Sequence, residues 1–183
     1  DAAVITPHPR AHALYADKRN LSLLSNAALL QSWGVRRPLL EALQRGIPRT
    51  EVVARAETER LWAGRRRLFF KPAAGHGSKA AYRGEKLTRR VWSEILAGNY
   101  VAQELVPPGE RRVGPDMPMK VDVRNYVYAG QVQLLAARLY QGQTTNMRTA
   151  GGGFAPVLTM PFRGADQESQ PAPPDARETP VAA

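Results

Sequence analysis

Residues 120–140 read KVDVRNYVYAGQVQLLAARLY, which is two strand-like runs on either side of Ala129 and Gly130. Residues 120–128 alternate with a period of two, as a β-strand with one face toward a core does. Residues 131–140 follow after a connection of two residues, the commonest length for the turn of an antiparallel hairpin. The pattern therefore predicts an antiparallel β-hairpin.

Charged side chains interrupt this hairpin at positions that share one face. Asp122 and Arg124 are two residues apart and therefore lie on the same side of their strand. Arg138 interrupts an apolar run on the partner strand, where the short turn brings it across from them, and Asn146 follows. One acid, two guanidiniums and a carboxamide suit a metal–triphosphate site, because guanidiniums neutralise γ-phosphoryl oxygens and oxygen ligands hold Mg²⁺. A surface salt-bridge ladder is the alternative for Asp122 and Arg124.

Upstream of the hairpin, residues 68–79 read LFFKPAAGHGSK, a short apolar strand that ends at Lys71 and leads into a glycine loop. A lysine at the end of a buried strand is unfavourable unless an anion meets it, and glycines let backbone N–H groups approach phosphate oxygens. The loop residues expected at such a ligand are Gly75, His76, Gly77 and Ser78. The segment is neither a Walker A loop nor the dinucleotide-binding fingerprint. A hairpin turn with an exposed lysine is the alternative interpretation.

Between these segments, residues 100–106 read YVAQELV and predict a strand that ends at Pro107-Pro108-Gly109. Such a break can release backbone N–H and C=O groups from sheet pairing and offer them to an adenine. The residues of this predicted hinge are Gln103, Glu104, Leu105 and Val106. Glu110 lies where a carboxylate can accept hydrogen bonds from ribose hydroxyls. The alternative is an ordinary edge strand with a solvated glutamate.

The remaining sequence predicts helices and a tail, which divide the chain into four segments. Residues 1–66 are predicted to be a mostly helical, truncated lobe, with an irregular start and helices at 17–33, 39–46 and from a Thr50 cap toward Trp62. Residues 67–106 form the lobe with the lysine, glycine loop and hinge, and include a helix capped by Thr88. Residues 107–160 form the hairpin lobe. Residues 161–183 lack apolar bulk and are predicted to be disordered.

Composition excludes several classes of protein. The chain has no cysteine, which excludes disulfides, thiolate metal sites and a cysteine nucleophile. No apolar run approaches the roughly 20 residues of a membrane span, and no signal peptide is recognisable. These features favour a cytoplasmic protein of bacterial type with no membrane partner. The net charge of +10 combines 21 Arg with 5 Lys without a basic tail or zinc-finger spacing. A solvated, Arg-rich surface together with a pocket for a polyanion therefore explains the charge better than nucleic-acid binding.

The order of these segments resembles that of the ATP-grasp superfamily, in particular its circularly permuted members with glutathione-synthetase-like chemistry. The shared order is a helix-start Asp17-Lys18, a strand ending in Lys-Pro, a glycine loop, a Gln-Glu strand, an Asp-x-Arg strand, an Arg on its partner and an Asn before Gly-Gly. The resemblance covers roughly residues 12–157. It implies an α+β fold in which two α+β lobes with antiparallel sheets hold ATP between them.

The resemblance also implies roles for individual residues, with ATP and Mg²⁺ as cofactors. The residues that it assigns to the nucleotide are Lys18, Lys71, Gly75, His76, Gly77, Ser78, Gln103, Glu104, Leu105 and Val106. Glu110 joins them as the predicted acceptor of the ribose hydroxyls. Arg124 and Arg138 match the catalytic sheet face, where Asp122 and Asn146 are the metal ligands. The implied activity is that of an ATP-dependent carboxylate–amine or carboxylate–thiol ligase that acts through an acyl-phosphate.

One departure from the family pattern affects the predicted metal site. Family members place an acidic residue two positions before the metal-binding asparagine, whereas Thr144 and Thr145 precede Asn146. In permuted members that strand comes earlier, so it is expected upstream of Asp1; a nucleotide-binding relic without full activity is the alternative. Two further functions stay open. One is a non-catalytic basic module for nucleic acid or a protein partner, and the other is a phosphotransferase on the same fold.

Overall fold

A computed structural model describes residues 3, 5–77, 79–113, 118–142, 145 and 150–160. Its α-helices are α1 (Pro9–Tyr15), α2 (Asn20–Leu24), α3 (Ala27–Ser32), α4 (Arg37–Gly46), α5 (Thr58–Gly64) and α6 (Arg89–Ala97). Its strands are β1 (Thr50–Val52), β2 (Leu68–Pro72), β3 (Tyr82–Arg83), β4 (Tyr100–Glu104), β5 (Gly109–Arg112), β6 (Pro118–Tyr128), β7 (Gln131–Tyr140) and β8 (Gly153–Pro156). They form two antiparallel four-stranded sheets, so the predicted α+β class is confirmed.

The first sheet has the strand order β1-β4-β2-β3 and is covered on one face by α5 and α6. Its core consists of the buried side chains of Leu61, Phe70, Trp92, Ile95 and Ala102. The ring of Trp92 packs edge-on against that of Phe70, with the centroids 5.4 Å apart. The Thr88 side chain accepts the Val91 N–H and caps α6, as predicted. Because side chains alternate along a strand, this burial leaves the opposite face of the sheet to the polar residues.

The second sheet has the order β5-β6-β7-β8 and is built on the predicted hairpin. Strand β7 begins and ends where the sequence pattern does, and β6 begins two residues earlier, at Pro118. Both turn residues have positive φ, 49° at Ala129 and 75° at Gly130, as the type I′ hairpin turn requires. No helix of the described residues makes an extensive contact with this sheet.

The predicted helix with Thr50 as its cap is wrong. Thr50 begins strand β1, which pairs with β4 so that Thr50 lies opposite Gln103. The helix begins only at Thr58, after a 3₁₀ turn over Arg55–Glu57. The reason is tertiary, since the sheet supplies hydrogen-bond partners to a segment whose own pattern is too short to specify a strand. Strand β1 thereby brings residues of the predicted first segment into the same sheet as β2 and β4.

Two further predictions near the start of the chain are wrong. The helix predicted over 17–33 is interrupted, because the Asn26 side chain accepts the Leu29 N–H at 3.1 Å and starts α3 anew. The irregular start contains α1, in which Pro9 occupies the first turn, where a missing N–H is tolerated. The helix predicted over 39–46 corresponds to α4, which runs over Arg37–Gly46 and confirms the predicted end at Gly46.

The structure also contains strands that the sequence pattern did not predict. Strand β5 pairs with the start of β6, and β8 pairs with β7 so that Phe154 lies opposite Arg138. The predicted tail, 161–183, lies outside the described residues. Among the helices that the structure describes, none is long and apolar enough to cross a membrane.

Candidate functional site

A cleft of about 1020 Å³ lies between the two sheets. Every predicted site residue that the structure describes lines it: Lys18, Lys71, Gly75, His76, Gly77, Gln103, Glu104, Leu105, Val106, Glu110, Asp122, Arg124 and Arg138. Ser78 and Asn146 lie outside the described residues. The residues come from both sheets and from the glycine loop, so positions more than 100 residues apart in the chain meet at one site.

Lys71 reaches the cleft from the end of β2. A chain of hydrogen bonds through Gln103 to Thr50, the relay, holds it there. Its Nζ donates to Gln103 Oε1 at 2.7 Å, and Gln103 Nε2 donates to Thr50 Oγ1 at 2.9 Å. The Thr50 hydroxyl donates to the Pro48 carbonyl at 2.9 Å, so its oxygen is left to accept from the amide. Gln103 and Thr50 are 8% and 4% exposed. The relay therefore orients the amide with its carbonyl oxygen toward the lysine.

A second lysine, Lys18, holds the glycine loop. Its Nζ donates to the Gly75 carbonyl at 2.9 Å, and its backbone N–H donates to the Ala73 carbonyl at 2.8 Å. Burial lowers the pKa of Lys71, and the positive charge of Lys18 lowers it further. Neither lysine forms an ion pair with any residue that the structure describes. Two like charges beside a glycine loop without a carboxylate partner form an environment that favours an anion.

In the predicted adenine hinge, the backbone N–H of Val106 is available to a ligand, whereas those of Glu104 and Leu105 are already bonded. The Glu104 N–H donates to the Arg49 carbonyl at 2.8 Å, and the Leu105 N–H donates to the Arg67 carbonyl at 2.9 Å. The expectation that the Pro-Pro-Gly break frees these two groups is therefore wrong. The exposed Val106 has no acceptor for its N–H among the described residues, and the two prolines that follow have no N–H.

On the second sheet, Asp122 and Arg138 lie directly opposite each other and form a two-pronged ion pair. Arg138 Nε donates to Asp122 Oδ1 at 2.5 Å, and Arg138 Nη2 donates to Oδ2 at 2.9 Å. The Thr145 hydroxyl adds a third bond to Oδ2 at 3.3 Å. Arg124 forms no ion pair with the described residues and lies 5.9 Å from the Tyr126 ring centroid. The alternative of a salt-bridge ladder is therefore confirmed for Asp122, which pairs with Arg138 across the strands, and not for Arg124.

The cleft contains most of the lysines of the chain. Seven basic side chains and three carboxylates line it, and four of the five lysines of the chain are among them. The basic residues that sequence reasoning missed are Lys79, Arg83 and Lys120. Lys120 carried a signal, since it lies two residues before Asp122 and shares its face; its Nζ donates to the Gly142 carbonyl. Thr50 carried none, because its role depends on a three-residue strand.

Of the two predicted magnesium ligands, the structure describes only Asp122, and its carboxylate is already engaged. No group of three or more His, Cys, Asp or Glu side chains in the described part of the chain is placed to hold a metal ion. A magnesium ion on a nucleotide needs only one or two protein carboxylates, since phosphates and waters supply its other ligands. Both oxygens of Asp122 accept from Arg138, whose charge neutralises the carboxylate. The other predicted ligand, Asn146, is outside the described residues.

Comparisons of the chain with protein-family models, curated proteins and solved structures found no match. The resemblance to ATP-grasp proteins therefore stays a prediction. The functional argument rests on the geometry and charge of the cleft.

Proposed function

We propose that this chain is the nucleotide-binding part of an ATP-dependent carboxylate–amine or carboxylate–thiol ligase of the ATP-grasp type. One observation carries the proposal: Lys18, Lys71 and the glycine loop line the same cleft as Arg124 and Arg138 of the second sheet. The cleft volume is at the upper end of the ~300–1,000 Å³ range that is usual for small-molecule sites. A surplus of basic side chains in a concave site favours a polyphosphate.

The proposed pose assigns each part of ATP to groups that can hold it. The triphosphate lies between Lys71 on one side and Arg124 and Arg138 on the other. Gly75 and Gly77 have positive φ, 109° and 70°, which presents the loop backbone in a conformation that other residues rarely adopt. The Val106 N–H donates to the adenine ring, and Glu110 accepts from the ribose hydroxyls.

The proposed reaction needs no covalent nucleophile from the protein. A carboxylate oxygen of the substrate attacks the γ-phosphorus, and the bond from that phosphorus to the ADP oxygen breaks. The amine or thiol then attacks the carbonyl carbon of the acyl-phosphate, and phosphate leaves. The chain supplies orientation and charge neutralisation, which are the main contributions of protein groups to phosphoryl transfer. Because the one described candidate ligand for Mg²⁺, Asp122, is engaged by Arg138, no step is assigned to the metal.

Calorimetric titration with ATP tests the proposal. Lys71→Ala is expected to weaken binding by about tenfold or more, since it removes a partly desolvated charge at the phosphates. Lys86→Ala is the matched control, because Lys86 is exposed on the 3₁₀ turn over Gly84–Lys86 and does not line the cleft. Circular dichroism shows whether both variants fold. Equal affinities for the two variants would refute nucleotide binding at this cleft.

Product analysis separates the ligase from a phosphotransferase that uses the same cleft. An amide or thioester released together with ADP and phosphate supports the ligase. A phosphorylated acceptor as the final product supports the phosphotransferase. A basic nucleic-acid module is less consistent with four of five lysines facing a single cleft. It predicts affinity for duplex or single strands that decreases steeply with salt and does not respond to ATP.

A further inference from the structure

The carboxylates of the cleft are few and lie on separate strands, and the one beside the arginines is engaged by Arg138. Three acids line it, Glu104, Glu110 and Asp122, and they lie on three different strands. They do not form a metal-holding group within the described residues. Asp122 is the only one of the three on the β6–β7 pair beside Arg124 and Arg138.

Asp122 is committed to Arg138 on both of its oxygens. The two guanidinium bonds, at 2.5 and 2.9 Å, form the fork geometry in which an arginine binds a carboxylate most strongly. The side chains of Arg138 and Asp122 are only 23% and 31% exposed, so solvent screens the pair incompletely. A divalent cation placed on Asp122 would lie next to this guanidinium and be repelled by it.

The net charge of the cleft also favours a metal-free ligand. Seven basic side chains against three carboxylates leave a positive excess of four. A triphosphate that carries Mg²⁺ has lost two negative charges to the metal, whereas the metal-free form keeps them all. The metal-free form is therefore the better electrostatic match to these residues.

We infer that the cleft binds metal-free polyphosphate at least as tightly as its magnesium complex, and that Asp122 positions Arg138 instead of ligating a metal. The inference rests on the proposed function in so far as the polyphosphate belongs to ATP. Asp122 is a positioning residue in this account, since it acts through the orientation of the Arg138 guanidinium toward the phosphate oxygens. Arg138 is then the group that contacts the ligand.

Titration of the full chain with ATP and with inorganic tripolyphosphate, each with EDTA or with excess Mg²⁺, tests the inference. The expected result is that both probes bind in EDTA, and that Mg²⁺ leaves the affinity unchanged or reduces it. A gain of about tenfold or more on adding Mg²⁺ would overturn the inference while leaving ATP binding, and hence the proposed function, in place. Tripolyphosphate binding in EDTA without ATP binding would refute the proposed function and support the metal-free polyanion site. Absence of binding by both probes would overturn both.

The variant Asp122→Asn distinguishes a role of Asp122 in orienting Arg138 from a role in binding a metal ion. As a positioning residue, Asp122 predicts that the ratio between affinities in EDTA and in Mg²⁺ stays within about threefold of that of the wild type. Tripolyphosphate binding should weaken several-fold, because Arg138 loses the carboxylate that orients it, and tighter binding would contradict the positioning role. Glu94→Gln is the matched control, because it removes one negative charge from the exposed side of α6, outside the cleft. A ratio that shifts against Mg²⁺ by about tenfold in Asp122→Asn alone would identify Asp122 as a metal ligand and overturn the inference. Should that variant fail to fold, Arg138→Gln in EDTA decides: unchanged tripolyphosphate affinity overturns the inference.

Discussion

The two sheets of this protein hold their cleft residues by different means. The first sheet rests on the buried layer of Leu61, Phe70, Trp92 and Ile95, so its polar face stands on a packed core. In the second sheet, the fully or nearly buried side chains are Met119, Ala136 and Tyr140. Many of its apolar side chains are exposed, namely Val123, Val127, Tyr128, Val132, Leu134 and Phe154.

This difference shows how one site can draw on two kinds of support. Lys71 is fixed through the side chains behind it, because Gln103 and Thr50 belong to strands of the packed sheet. Arg138 is fixed across its own sheet surface by Asp122, without help from a helix layer in the described residues. Stability should therefore depend mainly on the first sheet, while charge in the cleft depends on both.

The largest effect is expected from truncating the core of the first sheet. Phe70→Ala should lower the free energy of unfolding by about 3–5 kcal/mol, since it removes a fully buried ring and leaves a cavity. Leu134→Ala on the second sheet should cost less than about 1 kcal/mol, because that side chain is 54% exposed. Urea unfolding followed by circular dichroism measures both. Similar losses in the two variants would break the comparison and show that Leu134 is covered in solution.

The next largest loss of stability is expected at Gly84, whose backbone lies close to that of Arg65. A Cβ at Gly84 would lie 1.9 Å from the Arg65 carbonyl oxygen. Gly84→Ala should therefore destabilise the protein by about 3 kcal/mol, as the 3₁₀ turns over Arg65–Arg67 and Gly84–Lys86 separate. Gly64→Ala is the control, because a Cβ there meets nothing within 4 Å. In the last turn of α5 that change should be neutral or stabilising by up to about 1 kcal/mol. Thermal unfolding distinguishes them, and matching melting temperatures would contradict the close contact.

A smaller effect is expected where a hydroxyl supports the cleft. Thr50→Val removes the acceptor for a buried amide N–H of Gln103 and should cost about 1–2 kcal/mol, with weaker ATP binding as Lys71 loses its orientation. Thr145→Val, which removes a hydroxyl bonded to Asp122 of the second sheet, should cost under about 0.5 kcal/mol, because Arg138 continues to hold Asp122. Calorimetry and urea unfolding measure the two quantities. The comparison fails if the second substitution proves the more damaging.

The smallest effect is a pH dependence that belongs to the first sheet. Because burial lowers the pKa of Lys71 below its ordinary 10.5, this lysine loses its charge at a lower pH than an exposed lysine does. Polyphosphate affinity should therefore decrease as the pH rises through the alkaline range below 10.5, and binding near neutral pH draws on the charged form. Lys71→Arg should flatten the decrease measured by calorimetry; an unchanged decrease would assign it to another group.

The sequence was sufficient to predict those parts of the fold whose pattern is local. The hairpin of β6 and β7 follows from alternation and the Ala129-Gly130 turn, and α6 follows from its Thr88 cap. Strand β5 could not be predicted, since its residues Gly-Glu-Arg-Arg are exposed and have no apolar period. Strand β1 is three residues long and exists because β4 pairs with it.

The candidate site, too, could be predicted from the sequence only in part. The order of charged residues along the chain predicts which side chains belong to the cleft, because strand alternation places Asp122 and Arg124 on one face. The partners of those side chains depend on packing between distant strands. Neither the Thr50–Gln103–Lys71 relay nor the choice of Arg138 as the partner of Asp122 has a local sequence signal.

The ion pair between Asp122 and Arg138 also bears on how the hairpin finds its register. A slip of one residue along β7 would set Asp122 opposite Ala137 or Leu139 and turn the strand's side chains to the wrong face. The apolar run before Arg138 discriminates poorly among such alignments, since its side chains resemble one another. Only the native alignment places Asp122 opposite Arg138, so the charged pair adds to the two-residue turn in favouring that alignment. The interaction that sets charge in the cleft thus also favours the strand alignment on which the cleft depends.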